Sequence, residues 1–194
     1  MSQSVVGARR RLSYEQRHAQ LLDTAREFLR EEGSDALTLA RLAESAGVTK
    51  PLVYQHFGTK AGVLVELYGE FKTRTHVALD TALENAEASL PEVARIIADS
   101  YIDCIDEEST ELPGVGGALS GSTELEVLRQ EADVAFSARC RTALEPFAAD
   151  GAVSEASLYA ILGAAEGLTR ALMLEKVTFD QARQALAAVV SSAV

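Results

Sequence analysis

The chain has no tryptophan, two cysteines, four prolines and no run of about 18 uninterrupted apolar residues. Each scarcity excludes something. Without a long apolar run no transmembrane helix is expected, and Met1 to Arg11 carry charge with no apolar stretch behind them, so no secretory signal is read there. The expected location is the cytoplasm, with no membrane partner. Cys104 and Cys140 match no CxxC spacing and have no local histidine partners, which favours two reduced thiols over a disulfide or a metal site. With so little proline and 47% hydrophobic residues among 194, the body is neither disordered nor collagen-like. A chain of this length buries roughly 70% of the surface it exposes when unfolded.

Positive charge is scarce too. The formal net charge of −11, taken whole, argues against a polyanionic partner. The sum conceals an asymmetry: residues 1–60 hold nine Lys and Arg against seven acids, a net of +2, which leaves −13 for the remainder. Charge divided so unevenly points to divided labour along the chain.

Ala, Leu, Glu and Arg dominate, and no strict period-2 alternation is sustained, so the expected class is all-α with about nine helices. Leu21, Leu22, Ala25, Phe28 and Leu29 make one apolar stripe in a first helix over Ser13–Glu32, with Gly33 as its stop. A short second helix starts at the Thr38 cap and ends at Gly47; a third follows the Thr49 cap, tolerates Pro51 in its first turn and closes at Phe57 and Gly58. Thr59 restarts the chain as helix, continuing or breaking near Thr73, to about Ser89. Pro91 opens another helix through Ile105. The glycine-rich segment Glu111–Ser122 reads as the main interior loop. Helices are then expected over Thr123–Ala148, bent near Pro146, over Glu155–Lys176 with Ser154 as cap, and over Phe179–Ser192.

The informative stretch is Thr38–Lys60, TLARLAESAGVTKPLVYQHFGTK. A helix of about eight residues, a tight Ala46-Gly47-Val48 turn and a second short helix is the helix-turn-helix geometry that lays one helix in a DNA major groove. From Thr49 to Lys60 there are two lysines and no acid, a surface that approaches phosphates without the repulsion the rest of the chain would produce.

These residues resemble the TetR family of bacterial transcriptional regulators, on Phe28, Gly33, Thr38, Leu42, Ala43, Ala46-Gly47-Val48-Thr49, Val53-Tyr54, His56-Phe57 and Lys60. The resemblance covers about residues 13–68. It implies a basic arm over 1–12, a three-helix DNA-binding domain over 13–60 and a helical ligand-binding and dimerisation domain over 61–194. It further implies that Thr38 is a phosphate-contacting cap, that Thr49, Lys50, Pro51 and Leu52 open the recognition helix, and that Tyr54, His56 and Lys60 contact the DNA backbone. Gln55 suits adenine and Lys50 guanine. Arg9, Arg10 and Arg11 are either minor-groove or phosphate contacts or a solvated tail. Two departures stand out: Ala61-Gly62 where the family commonly has an acid after the lysine, which predicts a frayed start to the fourth helix, and the loop at Pro113–Gly121.

Other residues carry two readings. Phe57 reads as core, and Tyr54 as core or phosphate contact. His18 and His76 read as surface or interface residues, since no HxxxH or Cys/His cluster offers metal spacing. Asp99, Asp103, Asp106 and Glu107 form an acidic helix face. Tyr101, Cys104, Phe136, Arg139 and Tyr159 are candidate lining residues of an effector cavity, and the glycine-rich loop is its gate or a plain connector. The last two helices are apolar on more than one face, which the resemblance assigns to a homodimer through Leu158, Ile161, Leu162, Gly163, Gly167, Leu168 and Leu186. The expected function is a ligand-responsive repressor that binds a palindromic operator in double-stranded DNA as a homodimer and is released by a small-molecule effector. No cofactor or metal is implied. The competing class, an enzyme or helical binding protein with a vestigial helix-turn-helix, finds no nucleophile–base pair or phosphate-cradling glycine motif to support it.

Overall fold

The computed structural model describes residues 12–194, so Arg9, Arg10 and Arg11 lie outside the described residues. Nine α-helices occur among those described: α1 (Tyr14–Ala36), α2 (Leu39–Ser45), α3 (Lys50–Phe57), α4 (Lys60–Glu84), α5 (Leu90–Glu111), α6 (Val115–Ala118), α7 (Thr123–Leu144), α8 (Glu155–Met173) and α9 (Phe179–Ser191). The all-α class is the expected one, and the count of about nine is met differently from the reading above: α4 is unbroken, and α6 lies in the segment read as a loop.

Local chemistry explains the boundaries. Ser13 begins α1 with a capping box: its hydroxyl accepts from the Gln16 amide, while the Gln16 side chain accepts from the Ser13 amide at 3.0 Å. Gly33, at φ 77° and ψ 171°, breaks the helical path late in α1, a conformation that glycine adopts without steric cost. Thr59 caps α4 by accepting from the Gly62 amide at 3.0 Å. No break occurs near Thr73, and α4 runs straight through to Glu84. Helix α7 ends at Leu144, and a single 3-10 turn over Glu145–Phe147 replaces its expected last turn, because Pro146 has no N–H to continue the ladder. Helix α8 stops at Met173, short of Lys176.

The apolar side chains form two cores. The first joins α1, α2, α3 and the first half of α4 to Leu112, Val115, Leu119 and Leu125. The second joins Leu79 to the inner faces of α5, α7, α8 and α9. The glycine-rich segment is therefore no plain loop. It contains the single turn α6, and Leu112, Val115 and Leu119 are at most 2% exposed, pinned under the N-terminal helices. Three apolar anchors spaced i, i+3, i+7 outweigh the low helix propensity of the glycines between them.

Burial corrects part of the dimer assignment. Leu158, Ile161 and Leu186 are 3%, 1% and 0% exposed within the single chain; they hold α8 and α9 against the second core and offer nothing to a partner. Leu162 and Leu168 are half-buried, and Gly163 and Gly167 are exposed.

Truncating Leu119 tests the anchoring of the glycine-rich segment. Leu119→Ala is expected to lower unfolding stability by about 2–5 kcal/mol, measured by urea denaturation; a loss below about 0.5 kcal/mol, typical of surface sites, would return the segment to a connector.

Candidate nucleic-acid interface and effector cavity

Helix α3 is amphipathic at one-turn resolution. Val53, His56 and Phe57, at i, i+3 and i+4, face inward, while Lys50, Pro51, Tyr54 and Gln55 are exposed and Leu52 is half-buried. The outward face thus carries a lysine, a phenol and a carboxamide with no acid. Thr49 occupies the capping position, yet its hydroxyl makes no cap hydrogen bond. Thr38 does cap α2, accepting from the Arg41 amide at 3.1 Å; a hydroxyl that accepts still has a proton to donate. Lys60 is half-buried at the first position of α4. Arg41, an exposed cation on α2, is already engaged: its guanidinium bonds Glu32 at 2.6 and 2.8 Å and lies 4.7 Å above the Phe28 ring.

His56 is a correction. The structure buries it to 9% exposure, beneath the Tyr14 ring at 4.2 Å and beside His18, so it is turned away from the exposed face. The signal was present in the helical phase: three residues after Val53 and next to Phe57, it falls on the inward side. Phe57 is buried as expected, at 7%.

Gly62 is the second difference. A Cβ there would stand 2.3 Å from the Phe57 carbonyl oxygen, so glycine at this position lets the first turn of α4 pass against the end of α3. The Thr59 cap and this close approach make the start of α4 a defined junction, where low propensity alone predicts fraying.

Further along, α4 faces a cavity of about 650 Å³ bounded also by α5, α7, α8 and the glycine-rich segment. Tyr101, Cys104 and Phe136, three of the five expected lining residues, meet there, the two aromatic rings tilted with centroids 5.0 Å apart. The other two do not. Arg139 turns to Asp80 on α4, bonding it at 2.7 and 2.9 Å, and Tyr159 is 73% exposed on the outer face of α8. Lys72 and Asp133 line the cavity without having been singled out, and His76, expected at the surface or an interface, lines it too. Their signal was the spacing Tyr68, Lys72, His76, Leu79, one face of α4 that mixes aromatic and titratable groups.

The cavity is electrostatically mixed. The Lys72 ammonium donates to Glu108 at 3.1 Å and lies 3.4 Å from the Cys104 sulfur. Burial opposes its charge, and Cys104, Tyr68 and Glu108 more than offset that, so the proton is held above the ordinary lysine range. Burial, with Asp133 nearby, pushes the Tyr101 phenol up to about 12. Burial and then Glu166 raise Asp133, and burial lowers His76, reinforced by Arg139 and Lys72. The interior holds aromatic rings, one paired cation and groups biased toward neutrality, while exposed Arg129, Glu166 and Arg170 stand at the rim. Cys140 lies outside it; burial pushes its thiol up to about 12. Both cysteines are free thiols. Among the described residues no three His, Cys, Asp or Glu side chains are grouped to hold a metal ion, and no helix is long and apolar enough to cross a membrane.

Residues 21–67, from the first core helix to the start of α4, match the family model of the bacterial regulatory proteins, tetR family. That match takes in most of α1, all of α2 and α3 and the first turns of α4, so the N-terminal helices are similar to the N-terminal region of that family. The chain is 31% identical over 103 residues to the HTH-type transcriptional activator FasR of Mycolicibacterium smegmatis, covering 51% of this chain and 45% of that protein; it therefore spans about half the length of that relative. In fold the TetR-family likeness extends through nearly the whole chain. The fatty acid degradation regulator FadR of Bacillus halodurans superposes with a TM-score of 0.67 at 16% identity, over 92% of this chain and 96% of that one. The regulator FadR of Bacillus subtilis, solved with stearoyl-CoA, does so with a TM-score of 0.64 at 17% identity, over 91% and 99%.

The junction at Gly62 can be tested directly. Gly→Ala in a helix ordinarily gains about 1 kcal/mol; here Gly62→Ala is expected to destabilise instead, because a methyl group meets a backbone carbonyl. A thermal melt shows the sign, and a rise in Tm would contradict the packing.

Proposed function

We propose that the protein is a ligand-responsive transcriptional repressor that binds a palindromic operator as a homodimer, with α3 in the major groove, and is released when a small molecule fills the cavity. One observation carries this reading. A single unbroken helix, α4, abuts the end of the exposed, acid-free helix α3 through Gly62 and, further along, lines the cavity with Tyr68, Lys72 and His76. Occupancy of the cavity and the position of α3 therefore share one rigid element.

Lys50 and Gln55 are suited to base edges, and Thr38, Thr49, Tyr54 and Lys60 to phosphates, with Pro51 and Leu52 shaping the first turn. The homodimer is supported by the outer face of α8, where Tyr159, Gly163 and Gly167, spaced i, i+4, i+8, are exposed in one stripe. Glycines there allow close helix approach, and a phenol ring standing in water gains by being covered. Two-fold symmetry then sets the recognition helices about 34–36 Å apart, one turn of DNA. Activation is the second reading, favoured by the name of the Mycolicibacterium smegmatis relative; transcript levels of neighbouring genes in a deletion strain separate the two, rising for a repressor and falling for an activator.

Selection from a random DNA pool should return an inverted repeat. On that DNA, Tyr54→Phe and Lys60→Ala are expected to weaken binding uniformly, the lysine change lowering the salt slope by about one, whereas Lys50→Ala relaxes base preference at one position by about 1–3 kcal/mol. Unchanged titrations in all three would remove α3 from the interface. Gly163→Leu and Gly167→Leu are expected to shift sedimentation toward monomer; intact dimer in both would place the interface elsewhere.

A further inference from the structure

A chain of rings ties α3 to α1 and takes no part in either the exposed face or the cavity. His18 on α1 sets Nδ1 3.1 Å from Nδ1 of His56 on α3, and its Nε2 2.6 Å from Glu66 Oε2 on α4. Tyr14 stacks on His56 at 4.2 Å, and Phe57 packs on His18 at 4.9 Å. His56 Nε2 is buried with no hydrogen-bond partner. The charged and titratable groups around the two imidazoles are Tyr14 and Arg17 on α1 and Glu66 on α4.

Proton counting limits what this arrangement permits. A carboxylate only accepts, so His18 Nε2 carries a proton toward Glu66. Only one proton fits between two Nδ1 atoms in hydrogen-bond contact. Either His18 is neutral and His56 donates, or His18 is a cation and donates to a neutral His56, or His56 is the cation and donates. In every case at most one of the two rings is charged. With both charged, two N–H groups point at each other across the same gap and the contact cannot form.

We propose that the His18–His56 pair is a proton-operated latch on the DNA-facing helix: with no more than one positive charge it holds α3 against α1, and a second proton releases it. The role of α3 in DNA binding rests on the preceding reading; the latch itself does not. Burial first, then His18 and Arg17, disfavour charge on His56, opposed by Glu66, so protonation of His56 is held below the ordinary imidazole range. The open state binds more protons than the closed one, hence acid favours opening and the latch holds as pH rises.

The full chain is tested by following the ring nitrogens with long-range nitrogen–proton NMR and the amides of Lys50–Phe57 by hydrogen exchange, from about pH 7.5 to about pH 5. Expected is the appearance of doubly charged imidazoles together with a roughly tenfold or greater loss of α3 protection per pH unit, corrected for intrinsic exchange, with α2 unaffected. His18→Gln should abolish that pH dependence. Glu66→Gln, which withdraws a stabilising anion, should move the midpoint down by about one pH unit, a shift that a merely structural contact would not produce and a measurement that stands even where His18→Gln fails to fold. Two charged rings with unchanged α3 protection, or an unmoved midpoint in Glu66→Gln, would overturn the latch. A chain that opens as described yet selects no DNA from a random pool would overturn the functional reading and leave the latch in place.

Discussion

The constraint on which the structure depends is the continuity of α4. Its 25 residues make a rod of about 37 Å, and that rod serves two cores in succession. Val63, Leu64, Leu67, Tyr68 and Phe71 belong to the first core, and Leu79 to the second. Between them, Lys72 and His76 face the cavity. A helix buried in this way cannot slide or rotate for one core alone, because close-packed side chains on both would have to repack together. The glycine at position 62 extends the constraint to α3: with no Cβ, the rod ends in contact with the Phe57 carbonyl.

A second connection runs beside the first, through backbone rather than a rod. Gly114 sits at φ +75°, and a Cβ there would stand 2.6 Å from the Ser34 hydroxyl. Ser34 follows the Gly33 break in α1 and is 4% exposed. The glycine that opens α6 therefore approaches the residue next to the glycine that breaks α1, and α6 is held under the N-terminal helices by Val115 and Leu119. Nearby, Arg26 on α1 reaches Glu70 on α4 at 2.8 Å and Glu111 at the end of α5 at 3.5 Å, while Arg74 on α4 pairs with Glu111. Exposed pairs of this kind contribute little stability singly; half-buried and shared among three helices, they instead fix how the helices stand relative to one another.

What was legible in the sequence follows from which forces act locally. Helix starts at Ser13, Thr38, Thr59 and Ser154 depend on residues within one turn and are where the sequence puts them, while Gly33 breaks α1 three residues before its end and the expected Thr49 cap makes no side-chain bond. Helical phase was equally accessible, and it places Val53, His56 and Phe57 together on the inward side; the family resemblance, which implied a DNA-backbone contact for His56, assigned it to the other side. The glycine-rich segment was misread for a different reason. Propensity is a local preference, whereas the burial of Leu112, Val115 and Leu119 comes from helices about 80 positions earlier, information that no window along the chain contains. Arg139 was unreadable in the same sense: its partner Asp80 lies 59 residues away. The likeness to solved TetR-type folds supplies the overall frame and, at 16–17% identity, leaves the chemistry of the cavity to this chain's own residues.

On the proposed reading, that chemistry limits how a molecule in the cavity can act on α3. A bound molecule shifts a conformational equilibrium only by its difference in affinity between two states, so contacts with side chains that do not move contribute nothing. Of the cavity walls, α4 is the one that also packs against α3. Lys72 is the wall residue with the most at stake in a displacement, because its ammonium is held by Glu108 of α5 and lies over the Tyr68 and Phe71 rings of its own helix. A molecule that competes for Lys72 or Glu108 removes a tie between α4 and α5. A molecule that only fills the apolar space beside Tyr101 and Phe136 touches α5 and α7 and leaves that tie in place. Differential affinity therefore concentrates on the Lys72–Glu108 pair, at the end of the cavity nearest the N-terminal helices.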